Sequence, residues 1–244
     1  MPIPCYLDMR SVTTMETKDF TKKIWAFTLG DGGLSPTNTF NPVKVRKLQN
    51  PWFDRKKNSL YYLKQIEEHK DYIDFQANFL EQLTSVTITN QPAYVDKRGY
   101  LCKGQYTLRT KTHPKYTTMR NRIYLNNYKC ISEHDLHLLD WECMAYFYMD
   151  DGWLEIQERL TTETYVRASI ASHNYTYGDQ LMLKQAIKEK LGIEFNIRKH
   201  LQKSGEYKYF LQAKKDHAKR FLDGISTYIL PSFEYKLFSE RVAP

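Results

Sequence analysis

KIWAFTLGDGGL, at residues 23–34, returns in a related form as CMAYFYMDDGWL at residues 143–154. Each copy is an apolar stretch that ends in Asp-Gly, first at Asp31 and then at Asp151. The two aspartates lie 120 positions apart, about half of the 244-residue chain. Because self-similarity at a fixed spacing is typical of architectures built from equivalent units, the sequence predicts two halves that repeat one structural plan.

The apolar stretches before the aspartates are predicted to be buried helices. Neither leaves a polar face, and a helix that is apolar all round belongs in a core. Ala26 and Gly30 give one side of the first helix room for a close neighbour, whereas Tyr146 fills the matching side of the second and predicts a looser contact there. If the two helices pack side by side in parallel, Asp31 and Asp151 become neighbours in a site shared by both halves.

Both aspartates stand where an acid is unfavourable. The C-terminal end of a helix carries partial negative charge, and its last carbonyls lack partners. Gly32 and Gly152 follow, at the position where a helix-ending glycine is expected. One such Asp-Gly is most simply an ordinary polar turn. Two of them, each after an apolar helix, favour a divalent cation, which takes carboxylate and carbonyl oxygens as ligands.

The segments after each motif also match in kind. The first half is predicted to contain strands near 43–48 and 59–66, a helix over 70–83, strands near 85–95 and 101–110, and a helix near 115–125. The second half is predicted to contain strands near 153–158 and 165–172, a helix over 177–191, a hairpin over 193–212, and a helix near 214–229. The predicted fold class is therefore α/β (α+β), with two pseudo-symmetric α-β-β-α-β-β-α halves and two central packed helices. The expected boundaries are an N-terminal extension over 1–19, a first half over 20–128 and a second half over 129–244.

The charge of the chain indicates a polyanionic partner. Its net charge is +8 and its pI about 9.1. Basic residues concentrate at 41–57, 103–129 and 198–220. One such cluster can be merely a solvated face, but three of them favour contact with phosphates.

Other compartments and site types find little support in the sequence. None of the four cysteines forms a C-x-x-C pair, so no zinc site is indicated. The first residues lack the basic and apolar regions of a signal peptide, and no apolar run reaches the ~18 residues of a membrane span. We therefore expect an intracellular protein, in the cytoplasm of a bacterial host or in an organelle, that is not secreted and does not bind a membrane.

With these motifs, the chain resembles the monomeric two-motif branch of the LAGLIDADG homing endonucleases over about residues 20–238. The second copy, MAYFYMDDG, is the closer match, and the first departs from the family string at Trp25, Thr28 and Leu29. The resemblance implies antiparallel DNA-binding sheets and a site-specific, metal-dependent endonuclease that hydrolyses double-stranded DNA at a long asymmetric site. It also implies Mg²⁺ (or Mn²⁺) as cofactor, a monomer, and no obligate protein partner.

The resemblance also implies roles for particular residues. Asp31 and Asp151 match the metal-binding acids, and Gly30 and Asp150 match the preceding positions, whose backbone carbonyls complete the metal shell. Lys129 and Lys236 match a lysine that stands beside each metal. Ordinary surface lysines or phosphate contacts are the alternative interpretation of these two residues.

Strand alternation names the candidate DNA-binding residues. Side chains that alternate with apolar ones are expected to face the DNA, while a plain solvent surface remains the alternative. Phosphate contact is expected from Lys115 as well. The expected set is Lys44, Arg46, Lys103, Gln105, Thr107, Arg109, Lys111, Lys115, Tyr165, Arg167, Ser169, Asn196 and Arg198.

A second function uses the same scaffold without catalysis. Such a protein would be a nucleic-acid binder, either an intron RNA maturase or a DNA-binding regulator. Relatives that follow this path lose one or both acids, whereas both are present here. The sequence therefore favours the nuclease.

Overall fold

The computed structural model describes residues 9–36, 58–158, 164–202 and 205–238. The first half comprises α1 (Met9–Leu29), β1 (Gly33–Pro36), β2 (Ser59–Ile66), α2 (Lys70–Leu80), β3 (Val86–Gln91), β4 (Tyr94–Val95), β5 (Leu101–Cys102), β6 (Gln105–Thr110), α3 (Pro114–Ile123), β7 (Tyr124–Leu125) and β8 (Tyr128–Lys129). The second comprises α4 (Trp141–Asp151), β9 (Gly152–Glu158), β10 (Thr164–Ile170), α5 (Tyr177–Leu191), β11 (Phe195–Leu201), β12 (Tyr207–Ala213) and α6 (Lys215–Ile225). Short 3-10 helices occupy Glu67–His69, Glu133–Leu138, Ser226–Tyr228 and Pro231–Lys236.

Each half contains one four-stranded antiparallel sheet, and the two sheets have the same plan. Their strand orders are β1-β2-β6-β3 and β11-β12-β10-β9. In both, the strand that directly follows the motif helix, β1 or β9, lies at one edge of its sheet. The predicted α+β class, with two equivalent α-β-β-α-β-β-α halves and antiparallel sheets, is confirmed.

Several predicted elements differ from the observed ones. The strand expected near 43–48 lies outside the described residues. The helix expected over 70–83 ends at Leu80, and the strands expected over 85–95 and 101–110 are each divided in two. Strands β3 and β6 pair in the four-stranded sheet, whereas β4 and β5 pair with each other in a separate two-stranded sheet.

The inner faces of the sheets form the core with the helices. Along β2, buried and partly exposed residues alternate, and Tyr61 and Leu63 are fully buried. Leu108 on β6 and Ala168 on β10 are buried in the same way. Since strand side chains alternate between faces, the intervening residues lie on an outer face that the helices leave uncovered.

The two motif helices, α1 and α4, pack in parallel at the centre, as predicted. Lys22 of α1 pairs with Glu142 of α4 at 2.8 Å. One turn further on, the rings of Phe27 and Tyr146 lie 5.0 Å apart. Tyr146 therefore packs against Phe27 and does not loosen the contact between the helices. At the C-terminal ends, Gly30 approaches Asp150 so closely that a Cβ added at Gly30 would lie 2.3 Å from the Asp150 Cβ.

Both ends of α4 lie where the sequence predicts them. Asp140 caps α4 by accepting the Cys143 N–H at 3.0 Å. Gly32 and Gly152 lie just beyond the motif helices, as expected, and neither has a positive φ. Glycine is required there by close approach instead, because a Cβ would lie 2.2 Å from the Tyr61 hydroxyl at Gly32 and 2.2 Å from the Tyr148 ring at Gly152.

Two expected boundaries cross continuous structure. Helix α1 begins at Met9, so the later part of the expected extension over 1–19 continues directly into the motif helix. The hairpin of β7 and β8 spans residues 124–129 and contains the boundary drawn at 128/129. Within the part of the chain that the structure describes, no helix has both the length and the apolar character needed to cross a lipid bilayer.

The packing of Gly30 makes a stability prediction. Gly30→Ala would place its Cβ 2.3 Å from the Cβ of Asp150, and such overpacking costs about 1–3 kcal/mol. Gly178→Ala is the matched control, because the nearest atom to its Cβ would be 3.7 Å away. Denaturant unfolding should show a clear loss of stability for the first variant only, and equal midpoints for the two would contradict the close crossing of α1 and α4.

Candidate active site

The two predicted acids meet where the sheets begin. Asp31 follows α1 and precedes β1, and Asp151 ends α4 and precedes β9. Because α1 and α4 are parallel and adjacent, their C-terminal ends deliver both carboxylates to one place. Burial, followed by the neighbouring Asp31 carboxylate, raises the pKa of Asp151 to about 7. The structure therefore brings together the two acids that the repeated motif predicts as a pair.

Asp150 takes a part that its sequence position does not reveal. Its backbone carbonyl was the expected contribution, but its side chain lies between the two helices. Asp150 Oδ2 accepts the backbone N–H of Asp31 at 3.0 Å and the hydroxyl of Tyr72 at 3.4 Å. Burial and the charges of Asp31 and Asp151 raise the pKa of Asp150 well above its usual range. This side chain ties the end of α1 to the end of α4.

Gln65, which was not among the residues predicted from the sequence, bridges two of the carboxylates. Its Nε2 donates to Asp31 Oδ2 at 2.8 Å and to Asp150 Oδ1 at 3.2 Å. Gln65 lies on the inner face of β2, two residues after the fully buried Leu63. A polar residue at an inward position of a strand was the signal that could have identified it.

A lysine from another part of the chain donates hydrogen bonds to the C-terminal end of each motif helix. Lys129 Nζ donates to the carbonyls of Gly30 and, at 2.8 Å, of Gly32. Lys236 Nζ donates to the carbonyl of Met149 at 2.6 Å. Surface placement is therefore excluded for both, since Lys236 is 9% exposed and Lys129 is largely covered. The Gly30 carbonyl, expected as a metal ligand, is occupied by the lysine.

Burial and nearby acids act in opposite directions on the two lysines. Burial lowers the pKa of Lys129 and of Lys236, and in each case the charges of Asp150, Asp151 and Asp31 oppose the decrease. The cluster thus places two ammonium groups beside three carboxylates. Such an arrangement suits a divalent cation, because burial, followed by the charge of Asp31, disfavours the ionised form of Asp151, and a bound cation would stabilise that form.

The donor set limits how a cation would be held. Among the described residues, no group of three His, Cys, Asp or Glu side chains has the arrangement of a complete metal site. Asp31 and Asp151 are the carboxylates that fit, with Asp150 engaged in joining the helices. An ion here would need further oxygen ligands, and an open coordination shell is typical of a site that binds a phosphate.

The outer face of the first sheet is polar and without acids. Registers align Tyr62 with Arg109 and Thr87, and Lys64 with Thr107 and Thr89. No Asp or Glu occurs in β2, β3 or β6. The expected Gln105, Thr107 and Arg109 lie on β6 and on this face. Lys64, Thr87 and Thr89 were not predicted, because alternation along single strands does not give the register between them.

The remaining predicted residues of the first half are placed differently. Lys103 and Lys111 lie just beyond the two ends of β6, and Lys103 pairs with Glu68 at 2.7 Å. Lys115 lies on α3, on the helix side of the sheet, with its ammonium 5.3 Å from the centre of the Phe20 ring. It is therefore not on the outer face. Lys44 and Arg46 lie outside the described residues.

The outer face of the second sheet carries basic side chains, aromatic rings and one acidic side chain. Arg167 lies over the Tyr165 ring at 4.9 Å and pairs with Glu155 at 3.6 Å. Arg198 donates to Gln212 at 3.2 Å, and Asn196 aligns with Gln212 in the register.

The expectation that Ser169 faces outward to a partner is wrong, because Ser169 is fully buried and its Oγ accepts from Gln212 at 3.3 Å. Trp153 aligns with Ser169 on the neighbouring strand. The bulk of these neighbours, which single-strand alternation does not reveal, decides its exposure.

The carboxylate cluster makes a second stability prediction, for metal-free protein in EDTA. Asp31→Asn should raise the thermal midpoint at pH 8, because it removes a charge that repels Asp151. The gain should shrink at pH 5, where Asp151, with a pKa of about 7, already carries a proton in the folded state. Adding Mg²⁺ should stabilise the wild type more than the variant. A midpoint lowered equally at both pH values would contradict repulsion at this site.

A known protein family and one curated relative match this sequence. The model of the LAGLIDADG DNA endonuclease family matches residues 50–221. An uncharacterized protein of Methanocaldococcus jannaschii, MJ1098, is 27% identical over 132 residues, which are 54% of this chain. The chain spans about half the length of that curated relative, 48%.

Solved structures share the fold. The homing endonuclease I-WcaI bound to its DNA recognition sequence is similar with a TM-score of 0.69 at 16% identity, over 96% of this chain and 95% of that one. The meganuclease I-SmaMI bound to uncleaveable DNA is similar with a TM-score of 0.50 at 9% identity, over 88% and 85%. Since the family model covers well over half of the sequence, this chain belongs to the LAGLIDADG DNA endonuclease family.

Proposed function

We propose that this chain is a site-specific endonuclease that hydrolyses both strands of double-stranded DNA at a long asymmetric site, acting inside the cell as a monomer with Mg²⁺ or Mn²⁺. One observation carries the proposal: two parallel helices deliver Asp31 and Asp151 into one cluster, and each helix end holds a lysine. A fold of this family that only bound nucleic acid would have no use for buried, mutually repelling acids. The solved relatives named above were bound to DNA.

The proposed chemistry assigns a task to each group. Asp31 and Asp151 would hold the divalent metal, each acid beside the scissile phosphate of a different DNA strand, and Gln65 fixes the orientation of the Asp31 carboxylate by a hydrogen bond. When bound, a divalent cation activates a water molecule and stabilises charge on the phosphorus oxygens. Lys129 and Lys236, held at the helix ends, would place positive charge beside the scissile phosphates. This charge would offset the repulsion between the DNA phosphates and the carboxylates.

The outer faces of the two sheets supply the proposed DNA interface. Antiparallel strands with alternating polar side chains can read base edges in the major groove. Two sheets that begin on either side of one catalytic cluster would cover about two helical turns, roughly 20 base pairs. Because the first face carries Lys64, Thr107 and Arg109 while the second carries Tyr165 and Arg167, the two half-sites should differ in sequence.

The cleavage prediction concerns the two acids. Asp31→Asn and Asp151→Asn each remove one negative ligand and nearly keep the shape of the side chain. Cleavage should fall by orders of magnitude, because metal stabilisation of the transition state contributes several kcal/mol, while DNA binding persists. The assay resolves both strands of a cognate duplex, selected from a random library, on a denaturing gel with Mg²⁺.

Two controls accompany that assay. Asp223→Asn changes an exposed aspartate of α6 in the same way and should leave cleavage intact. Wild-type protein in EDTA should bind without cutting. Full double-strand cleavage by either active-site variant would remove these residues from the mechanism, and a wild type that binds but never cuts would indicate the non-catalytic binder.

The binding prediction compares two lysines on opposite sides of the first sheet. Lys64→Ala, on the outer face, should weaken binding to all sequences and lower the slope of affinity against salt by about 1. Lys115→Ala, on the helix side, should change neither. Arg109→Ala should relax base preference at one position by about 1–3 kcal/mol. Titration at several salt concentrations measures these effects, and equal losses for both lysine variants would place the interface elsewhere.

A further inference from the structure

The two halves support their acids differently. In the first half, Gly33 on β1 pairs with Tyr62, and Gln65 lies three residues further along β2. In the second half, Trp153 on β9 pairs with Ser169, so the position that matches Gln65 is Ser172. Ser172 is 1% exposed, and its hydroxyl has no hydrogen-bond partner among the described residues. Only the first half therefore has, within the described part of the chain, a side-chain amide that reaches its acid.

The hydrogen bonds fix which end of the Gln65 amide faces the acids. The ionised Asp31 carboxylate offers only acceptors, so the amide nitrogen, which donates to Asp31 Oδ2 at 2.8 Å, must be the end that points to the acids. The amide oxygen then points away, and it lies 3.2 Å from Nδ1 of His69. Because an amide oxygen only accepts, Nδ1 must carry the hydrogen in this contact. His69 thus acts as the donor that holds the amide in its orientation.

The imidazole of His69 is itself held firmly by the other half of the molecule. It is 8% exposed, and its ring centre lies 3.9 Å from that of Phe233. The Tyr235 ring stacks on the His69 imidazole, with 6.3 Å between the ring centres and an interplanar angle of 11°. Both aromatic residues belong to the 3-10 helix that also supplies Lys236. That segment is attached to α2 by the Ser232 N–H, which donates to Asp71 at 3.1 Å.

The ionisation of the ring agrees with a single N–H. Burial, followed by the nearby charge of Lys236, lowers the pKa of His69. The neutral imidazole has one hydrogen to place, and the contact with Gln65 determines that it sits on Nδ1.

We propose that His69 is a positioning residue which, through the Gln65 amide, orients the Asp31 carboxylate, and that the Asp151 side of the centre has no such support. This inference rests on the proposed function, since its consequence is kinetic. The cut that depends on Asp31 requires the His69–Gln65 pair, whereas the cut that depends on Asp151 does not. One strand is therefore sensitive to His69 and the other is not.

The test uses a matched pair of variants. In His69→Asn, the side-chain NH₂ can take the place of Nδ1–H and donate to Gln65. In His69→Asp, the shape is nearly the same but the ionised carboxylate only accepts, so the amide oxygen loses its donor. His69→Phe is a further variant that keeps the contact with Phe233 and lacks the donor, in case a buried carboxylate prevents folding.

Strand-resolved, single-turnover cleavage is the first measurement. His69→Asp and His69→Phe should slow one strand relative to the other by about 10–100-fold, the usual effect of losing a group that orients a ligand. His69→Asn should retain the wild-type ratio, and all variants should bind the duplex equally in EDTA. A wild-type ratio in the Asp or Phe variant, or an equal loss in Asn and Asp, would overturn the proposal.

The second measurement does not depend on cleavage. In ¹⁵N-labelled wild-type protein without metal or DNA, the nitrogen chemical shifts of His69 should show the Nδ1–H tautomer. The Nε2–H tautomer would overturn the proposal whatever the cleavage data show. If the wild type cuts no DNA, the proposed function fails, and the tautomer alone decides whether His69 holds Gln65.

Discussion

Gly30 and Asp150 pack directly against each other where the ends of α1 and α4 meet, and the arrangement of the acids in the site depends on this contact. A side chain at Gly30 would overlap Asp150, so the helix ends can approach only because one partner lacks a Cβ. The Asp31 N–H and Asp150 then form a hydrogen bond between the halves. Without this crossing, two acids 120 residues apart would not share one centre.

The cost of gathering three carboxylates is offset locally. Lys129 and Lys236 satisfy carbonyls that a helix end leaves without partners, and they bring positive charge to the acids at the same time. The two lysines come from unlike structures, one from a hairpin whose turn residues, Asn126 and Asn127, both have positive φ, and one from a 3-10 helix. The two ammonium groups thus occupy equivalent places in the two halves, although the secondary-structure elements that carry them differ. Repulsion retained among the carboxylates of such a centre is the usual compromise between stability and activity.

The repeated motif was sufficient to predict the fold and the paired acids, because an apolar helix that ends in Asp-Gly and recurs half a chain later is typical of two equivalent folded units. Contacts between distant segments were not accessible in the same way. Gln65 and His69 acquire their roles from Asp150 and Phe233, which lie 85 and 164 positions away along the chain. Ser169 was misjudged for the same reason, since alternation gives the face of a strand and not the size of the neighbours. Lys115 was predicted to contact DNA from its charge alone, and charge does not specify on which side of the sheet a residue lies.

The differences between the halves are as informative as their likeness. An outer face without acids and an outer face with Glu155 beside Arg167 present different charge patterns, so one DNA half-site cannot fit both sheets equally well. The acids also differ in their support: Asp31 accepts a hydrogen bond from the Gln65 amide, whereas the position that matches Gln65 in the second half is Ser172. A homodimer would repeat each of these features by symmetry. A single chain with two copies can change one half and keep the other, and here it has done so both where DNA sequence would be read and where the carboxylates are held.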